Sequence, residues 1–448
     1  MTSDLHAGIA AIWRIESPKL IARLSRMLRD VGRAEDLAQD AFVSALSQWP
    51  EEGIPRNPGA WLMTTAKRRA IDQIRRDRTL QRKSEELIAG LSVKESETDV
   101  AATYEEIDDD LLRLMFVACH PAVSKEAHVA LTLKLLGGLT TAEIARAFLA
   151  SETTIAQRIV RAKRTLGEAR VPFEVPTGSE RRQRLASILE TIYLIFNEGY
   201  AATAGDDVLR PELVEDALRL GRMLAALMRN ESEVHGLVAL MEIQASRMRA
   251  RIGPSGEPIL LLDQDRGKWN RLLIHRGLTA LAKAEQLAGA LGPYGLQAAI
   301  AACHARAASA ERTDWERIAA LYDALAQIEP TPVVELNRAV AVAMAYGPQA
   351  GLDIVDKLLD EPALRIYHLL PSVRADLLFK LGRTTEARAE FERAAALARN
   401  SRDRAFLLSR AAQCAASSRL GVATRRSRHS LERTAPAHSP SRRSNGEY

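Results

Sequence analysis

Residues 139–164 read LTTAEIARAFLASETTIAQRIVRAKR, and the order of residue types in this stretch sets out two helices and the corner between them. Thr140 and Glu143 stand three apart, the spacing of a reciprocal capping box. Ile144 and Phe148 supply the buried side of that first helix. After Leu149 and Ala150, Ser151 is an apt N-cap for a second helix running from Glu152 to Arg164. Within it Ile155, Ile159 and Ala162 share an anchoring face. Thr153, Thr154, Gln157 and Arg158 are left at the N-terminal half to meet base edges, with Arg161, Lys163 and Arg164 suited to phosphates. This is a helix-turn-helix pattern.

Toward the N-terminus, the segment Arg33–Leu46 places Leu37, Ala41, Phe42, Ala45 and Leu46 on an inward stripe. Its polar residues Asp36, Gln39 and Asp40, at i, i+3 and i+4, share another face. An acidic and amide patch of that shape can dock on a basic protein surface, and it is also what an ordinary solvated helix face looks like. A stretch dense in helix breakers, from Trp49 to Gly59, is expected to form a loop. After it, Ala60–Arg76 is amphipathic: Leu62, Ala66, Ala70 and Ile74 form a seam, and Lys67, Arg68, Arg75 and Arg76 can neutralise phosphates. A loop before such a helix can hold an unstacked base. The charge then changes sign, because Lys67–Lys83 is basic whereas Ser84–Asp110 is rich in Glu and Asp, which predicts a flexible acidic linker over 84–110.

These two blocks, in this order and joined by such a linker, resemble the extracytoplasmic-function sigma factors of the sigma-70 superfamily. Ala34–Val43 looks like the region that grips the coiled coil of the largest polymerase subunit, and Trp61–Arg76 like the helix that melts and reads the minus-ten element. The resemblance implies that Asp36, Gln39 and Asp40 contact core RNA polymerase, and that Trp61, Lys67, Arg68, Arg75 and Arg76 lie along promoter DNA. Residues 139–164 resemble the reader of the minus-35 element, which assigns Thr153, Thr154, Gln157, Arg158, Arg161, Lys163 and Arg164 to that contact. The sequence departs from the family at Met63, usually aromatic, and at Arg68, usually asparagine. Leu149 and Thr153 stand where the family often has glycine, and a bulky residue with positive φ at the turn is costly. The resemblance covers about residues 8 to 170.

Beyond Val171–Gly178, a boundary whose two prolines and glycine make continued helix improbable, amphipathic segments continue to about Ala416. They are separated by short breakers such as Asn197-Glu198-Gly199, Gly253–Gly256, Gly292-Pro293, Glu329–Pro332, Gly347-Pro348 and Leu381-Gly382. Leu378, Gly382, Ala387, Phe391 and Ala394 follow the spacing of a tetratricopeptide helix pair, and Gly347 precedes Gly382 by 35 positions, against a typical repeat of about 34. An irregular helical bundle is the alternative. This part resembles the extension of a sigma subgroup, which implies modulation of the sigma core in place of a separate anti-sigma protein.

Composition sets the outer bounds. The chain has 448 residues, enough for several domains, with only 5% aromatics, helical spacing of Ala, Leu and Arg throughout, and a net charge of +5. An all-α protein follows: two small sigma domains, the second a helix-turn-helix, and then a tetratricopeptide-like helical domain. The expected domains are 8–83, the linker 84–110, 111–172, 178–416 and a disordered basic tail over 417–448. Cys119, Cys303 and Cys414 lie too far apart for a disulfide framework or a metal knuckle, and the Cys119-His120 and Cys303-His304 dipeptides lack metal-ligand spacing. A reducing cytoplasm fits, and neither a leader nor a membrane span is expected. Asp206, Asp207, Asp263, Asp265 and the Glu198–Tyr200 pair are read as caps, turns and ion pairs, so no enzyme, metal or other cofactor is expected.

The function expected is a sigma factor that binds core RNA polymerase and directs promoter-specific initiation. A regulatory protein or peptide bound by the extension, or an intramolecular contact with the sigma domains, would modulate it. The alternative is a helix-turn-helix activator with a tetratricopeptide-like sensor that does not replace a sigma subunit.

Overall fold

The computed structural model describes residues 2–85, 104–200, 209–254, 257–398 and 400–432. Among these residues the fold is all-α, with one isolated antiparallel bridge between Ile252 and Pro258. The chain divides into two compact units. The first comprises Met1–Arg251 and Gln264–Arg306, and the second Ile252–Asp263 and the chain from Ala307 onward. The expected extension therefore does not stay whole, since its first helices share a unit with both sigma-like blocks.

In the first unit, α1 (Thr2–Leu28), α2 (Val31–Glu52) and α3 (Pro58–Glu85) pack on one another. Helix α2 starts where Asp30 accepts the Arg33 amide, and it buries Val31, Ala34, Leu37, Ala38, Ala41, Ala45 and Trp49. Phe42 and Leu46, expected on the same stripe, are half-buried. The helix runs through Pro50 and stops at Gly53, whose amide bonds the Trp49 carbonyl at a φ of 85°. The expected loop is thus shorter at its start, because buried Trp49 anchors the last turn and packs edge-on against Trp61.

Helix α4 (Tyr104–Ala118) begins inside the stretch expected as linker, and residues 86–103 lie outside the described residues. Asp110, only 1% exposed, explains why this acidic segment packs: it sits 3.5 Å from both Arg23 and Arg26 of α1 and 2.7 Å from Arg113. Burial raises its carboxyl pKa, against the pull of the arginines. A buried carboxylate costs several kcal/mol unless paired, and here cations from two helices offset only part of that cost.

Then come α5 (Lys125–Leu135), α6 (Thr141–Ala147) and α7 (Glu152–Glu168), followed by α8 (Gly178–Tyr200), α9 (Pro211–Leu227), α10 (Ser232–Ala245), α11 (Arg271–Leu287) and α12 (Pro293–Arg306). One continuous apolar cluster runs from Ile9 and Leu24 through Phe116, Leu131 and Ile159 to Ile192, Phe196, Leu220 and Met241. Asn197-Glu198-Gly199, expected as a breaker, lies inside α8. Gly199 is there because α9 crosses closely: a Cβ would sit 2.8 Å from the Val214 nitrogen and 2.9 Å from the Arg210 oxygen.

The second unit contains α13 (Trp315–Ile328), α14 (Pro332–Tyr346), α15 (Pro348–Asp356), α16 (Leu369–Lys380), α17 (Thr384–Leu397) and α18 (Ser401–Glu432), each packed on its neighbour in sequence. Gly347 joins α14 to α15 at a φ of 102°, and Gly382 joins α16 to α17 at 76°. Leu378, Ala387, Phe391 and Ala394 are buried in one core. The α18 backbone is helical into the stretch expected as tail, and residues 433–448 lie outside the described residues.

Candidate nucleic-acid interface

The helix-turn-helix forms as its caps dictate. The Glu143 amide donates to the Thr140 hydroxyl at 3.1 Å and the Thr140 amide to the Glu143 carboxylate at 2.7 Å, while Ser151 accepts the Thr154 amide at 3.1 Å. Burial works against the Glu143 charge, yet the Thr140 amide and hydroxyl and Arg14 together hold its pKa below the ordinary carboxylate range. Between the helices Leu149 keeps a positive φ of 49°, so the turn carries the strain of a bulky residue in the left-handed region rather than being remodelled to avoid it.

Helix α7 buries Ile155, Ile159, Ala162 and Leu166. Thr153, Thr154, Gln157, Arg161 and Arg164 are exposed and Arg158 half-exposed, giving one polar and basic face; Arg164 also lies 3.5 Å from Glu168. Thr154, Gln157, Arg158 and Arg161 line a groove with Ser124 and Glu126 at the start of α5. Lys163 departs from this face. Its ammonium donates to Glu35 of α2 and stands 3.5 Å from Asp36.

That contact draws together residues assigned to different tasks. Glu35 is 3% exposed and takes Lys163, Lys134 of α5 at 3.5 Å and the Gln39 amide. Asp36 is exposed but beside Lys163, and Asp40 lies 3.8 Å from Arg69 of α3. Sequence reasoning passed over Glu35 and Lys134. The readable signal was a charge on a buried stripe, since Glu35 follows Ala34 and precedes Leu37 and Ala38, and Lys134 interrupts an apolar run.

Along α3 the seam residues Leu62, Ala66 and Ala70 are buried and Ile74 is half-buried. Arg68, Arg75 and Arg76 are exposed, Lys67 is half-exposed, and Trp61 is half-buried against Trp49. The three arginines therefore lie along the solvent side of the helix, as phosphate contacts require.

The remaining chemistry-bearing residues settle into structural roles. Cys119 is a buried thiol 3.6 Å from the Thr132 and Thr191 hydroxyls, and burial pushes its pKa up to about 11, far from a nucleophile's. His304 is pushed down to about 4 by burial and by Arg247 and Arg266. Glu198 pairs with Arg210, and Asp265 caps the Gly267 amide at 2.8 Å; Asp206 and Asp207 lie outside the described residues. Among the described residues no group of three metal-ligating side chains gathers, and no helix is long and apolar enough to cross a membrane.

Comparison with known proteins agrees with this geometry. Residues 12–79 match the sigma-70 region 2 family, 113–166 match sigma-70 region 4, and 184–285 match a family of unknown function, DUF6596. An uncharacterized protein of Rhizobium meliloti (strain 1021) is 43% identical over 391 residues, covering 87% of this chain and 92% of its own. The probable ECF RNA polymerase sigma factor SigI of Mycobacterium tuberculosis is 26% identical over 223 residues, 48% of this chain and 76% of that one. The ECF RNA polymerase sigma factor SigK of Mycobacterium bovis (strain BCG / Pasteur 1173P2) is 27% identical over 162 residues, 36% of this chain and 84% of that one. No solved structure matches. Two sigma regions in order, each built on the helices its function needs, and relatives that share them, place this chain in the extracytoplasmic-function sigma-70 family, with a long helical C-terminal extension.

Proposed function

We propose that this sigma factor binds core RNA polymerase through Asp36, Gln39 and Asp40 and sets Trp61, Lys67, Arg68, Arg75 and Arg76 of α3 along the melted minus-ten strand. Thr153, Thr154, Gln157 and Arg158 then enter the major groove of the minus-35 element, with Arg161, Lys163 and Arg164 on its phosphates. The observation that carries this reading is the division of α7: Ile155, Ile159, Ala162 and Leu166 fix the helix, while its N-terminal polar residues face solvent as a continuous reading surface. Lys163 cannot hold a phosphate while it holds Glu35 and Asp36, so engagement of polymerase and promoter requires α2 and α7 to separate.

The protein acts in the cytoplasm as a binding subunit and catalyses nothing itself. The α14–α15 and α16–α17 pairs, each turning on a positive-φ glycine, serve as a tetratricopeptide-like surface for a regulatory protein or peptide. Run-off transcription with purified core polymerase tests the whole reading. Initiation at specific start sites is expected, lost on charge reversal at Asp36 and Asp40. Duplex binding that is indifferent to those reversals, with no initiation above core alone, would instead indicate an activator that does not replace a sigma subunit.

A further inference from the structure

Among the contacts between the extension and the reading apparatus, two arginines reach helix ends. Arg219 of α9 donates from Nη1 to the Leu136 carbonyl at 3.1 Å and from Nη2 to the Gly137 carbonyl at 2.9 Å, at the C-terminus of α5. Its guanidinium is fixed by Asp216, 6% exposed, at 3.0 Å. Arg210, at the α8–α9 corner, donates to the Ala147 carbonyl at the C-terminus of α6 and is held by Glu198. The Arg210 amide also bonds the Gly199 carbonyl at 2.7 Å, where the start of α9 passes too close for a Cβ on Gly199.

The last carbonyls of a helix have no intrahelical partner, and a cation placed there also complements the helix dipole. Helix α6 has only seven residues, too few to hold itself by propagation. The chain leaves it through Leu149 in a strained conformation and enters α7 at Glu152. The end of α6 therefore sets the entry angle of Thr153, Thr154 and Gln157, and a displacement of an ångström there moves side chains off base edges whose hydrogen bonds tolerate little error.

We infer that Arg210 and Arg219 are positioning residues for promoter reading, and that the first hairpin of the extension is a working part of the minus-35 reader. This rests on the assignment of α7 as the reading helix. It gives the extension a supporting sense, since its removal takes two cations from the carbonyls that orient the reader.

The test uses the full-length chain with Arg219→Met, Arg210→Met, the double change and Arg219→Lys. The probe is a duplex enriched by the wild-type protein from a random pool, measured against a scrambled duplex of the same length. The double variant should lose about tenfold in the ratio of the two affinities. Affinity for the scrambled duplex, its salt dependence and co-elution with core polymerase should stay within about twofold, because the phosphate and polymerase contacts are untouched. Arg219→Lys, which keeps the charge but not the two-pronged geometry, should recover part of the ratio. An unchanged ratio overturns the inference, and so does a ratio that falls in step with scrambled-duplex affinity and thermal stability, the mark of mere unfolding. Failure of the wild-type protein to enrich any sequence overturns it together with the reading-helix assignment. Loss of polymerase co-elution in the wild type strikes the sigma reading alone.

Discussion

Replacing Glu35 by Gln removes one charge from the junction of α2, α5 and α7 while keeping the shape of the side chain. Two ammonium groups face this carboxylate, Lys134 at 3.5 Å and Lys163 closer still. At an effective dielectric of about 20, a pair at such a distance attracts with roughly 5 kcal/mol before desolvation is subtracted. Glu35 is 3% exposed and the Lys163 side chain 16%, so desolvation consumes much of that, leaving a net contribution to closure of about 1–3 kcal/mol. The closed arrangement should lose that much against the open one, and affinity for DNA should rise by about 5- to 150-fold if closure is dominant in the free protein. A second signature accompanies it: the dependence of log K on log salt should keep its wild-type slope, because Lys163 reaches the same phosphate in both complexes. Fluorescence anisotropy with a labelled duplex between about 50 and 200 mM salt measures both. Unchanged affinity in a variant whose thermal midpoint matches the wild type would refute the reasoning, because the Glu35–Lys163 contact would then not compete with DNA.

Other consequences follow from single residues. His304 is neutral in the fold, with a pKa of about 4 against an ordinary 6.5, so the unfolded chain binds its proton first. Stability should fall by up to ~3 kcal/mol as the pH drops from 6.5 toward 4, and denaturant titrations of His304→Gln should show a flatter profile over that window. Gly199→Ala pushes a methyl group to 2.8 Å from the Val214 nitrogen, a backbone atom that cannot swing aside, and should cost about 1–3 kcal/mol by calorimetry. Leu149→Asn puts a residue that tolerates the left-handed region where φ is 49°, and should raise stability by about 0.5–1 kcal/mol in the same measurement, with DNA binding retained.

The local chemistry of the reader was legible in its residues. Thr140 with Glu143, Ser151 with Thr154, and the Ile155–Ile159–Ala162 seam depend on partners three or four positions away, so the chain order already contains the geometry. The same holds for Leu62, Ala66 and Ala70, and for the Gly347 and Gly382 turns. Reading failed where a residue type has two uses. Pro50 looked like a breaker but sits in a helix that buried Trp49 holds to its last turn, and Gly199 looked like a turn but is the gap through which α9 passes. Acidic residues before Leu111 looked solvated, yet Asp110 meets arginines 87 and 84 positions earlier in α1.

What the sequence by itself determined is the set of amphipathic helices, their caps and the two sigma regions, because each is written in the periodicity and spacing of adjacent residues. Only the tertiary structure decided that Lys163 turns from its neighbours on α7 toward Glu35, 128 positions away, and that Arg210 and Arg219 close the ends of α6 and α5. Such contacts are chosen by three-dimensional packing: a charge brought out of water must find a partner wherever the folded chain supplies one, and distance along the sequence places no limit on where that is.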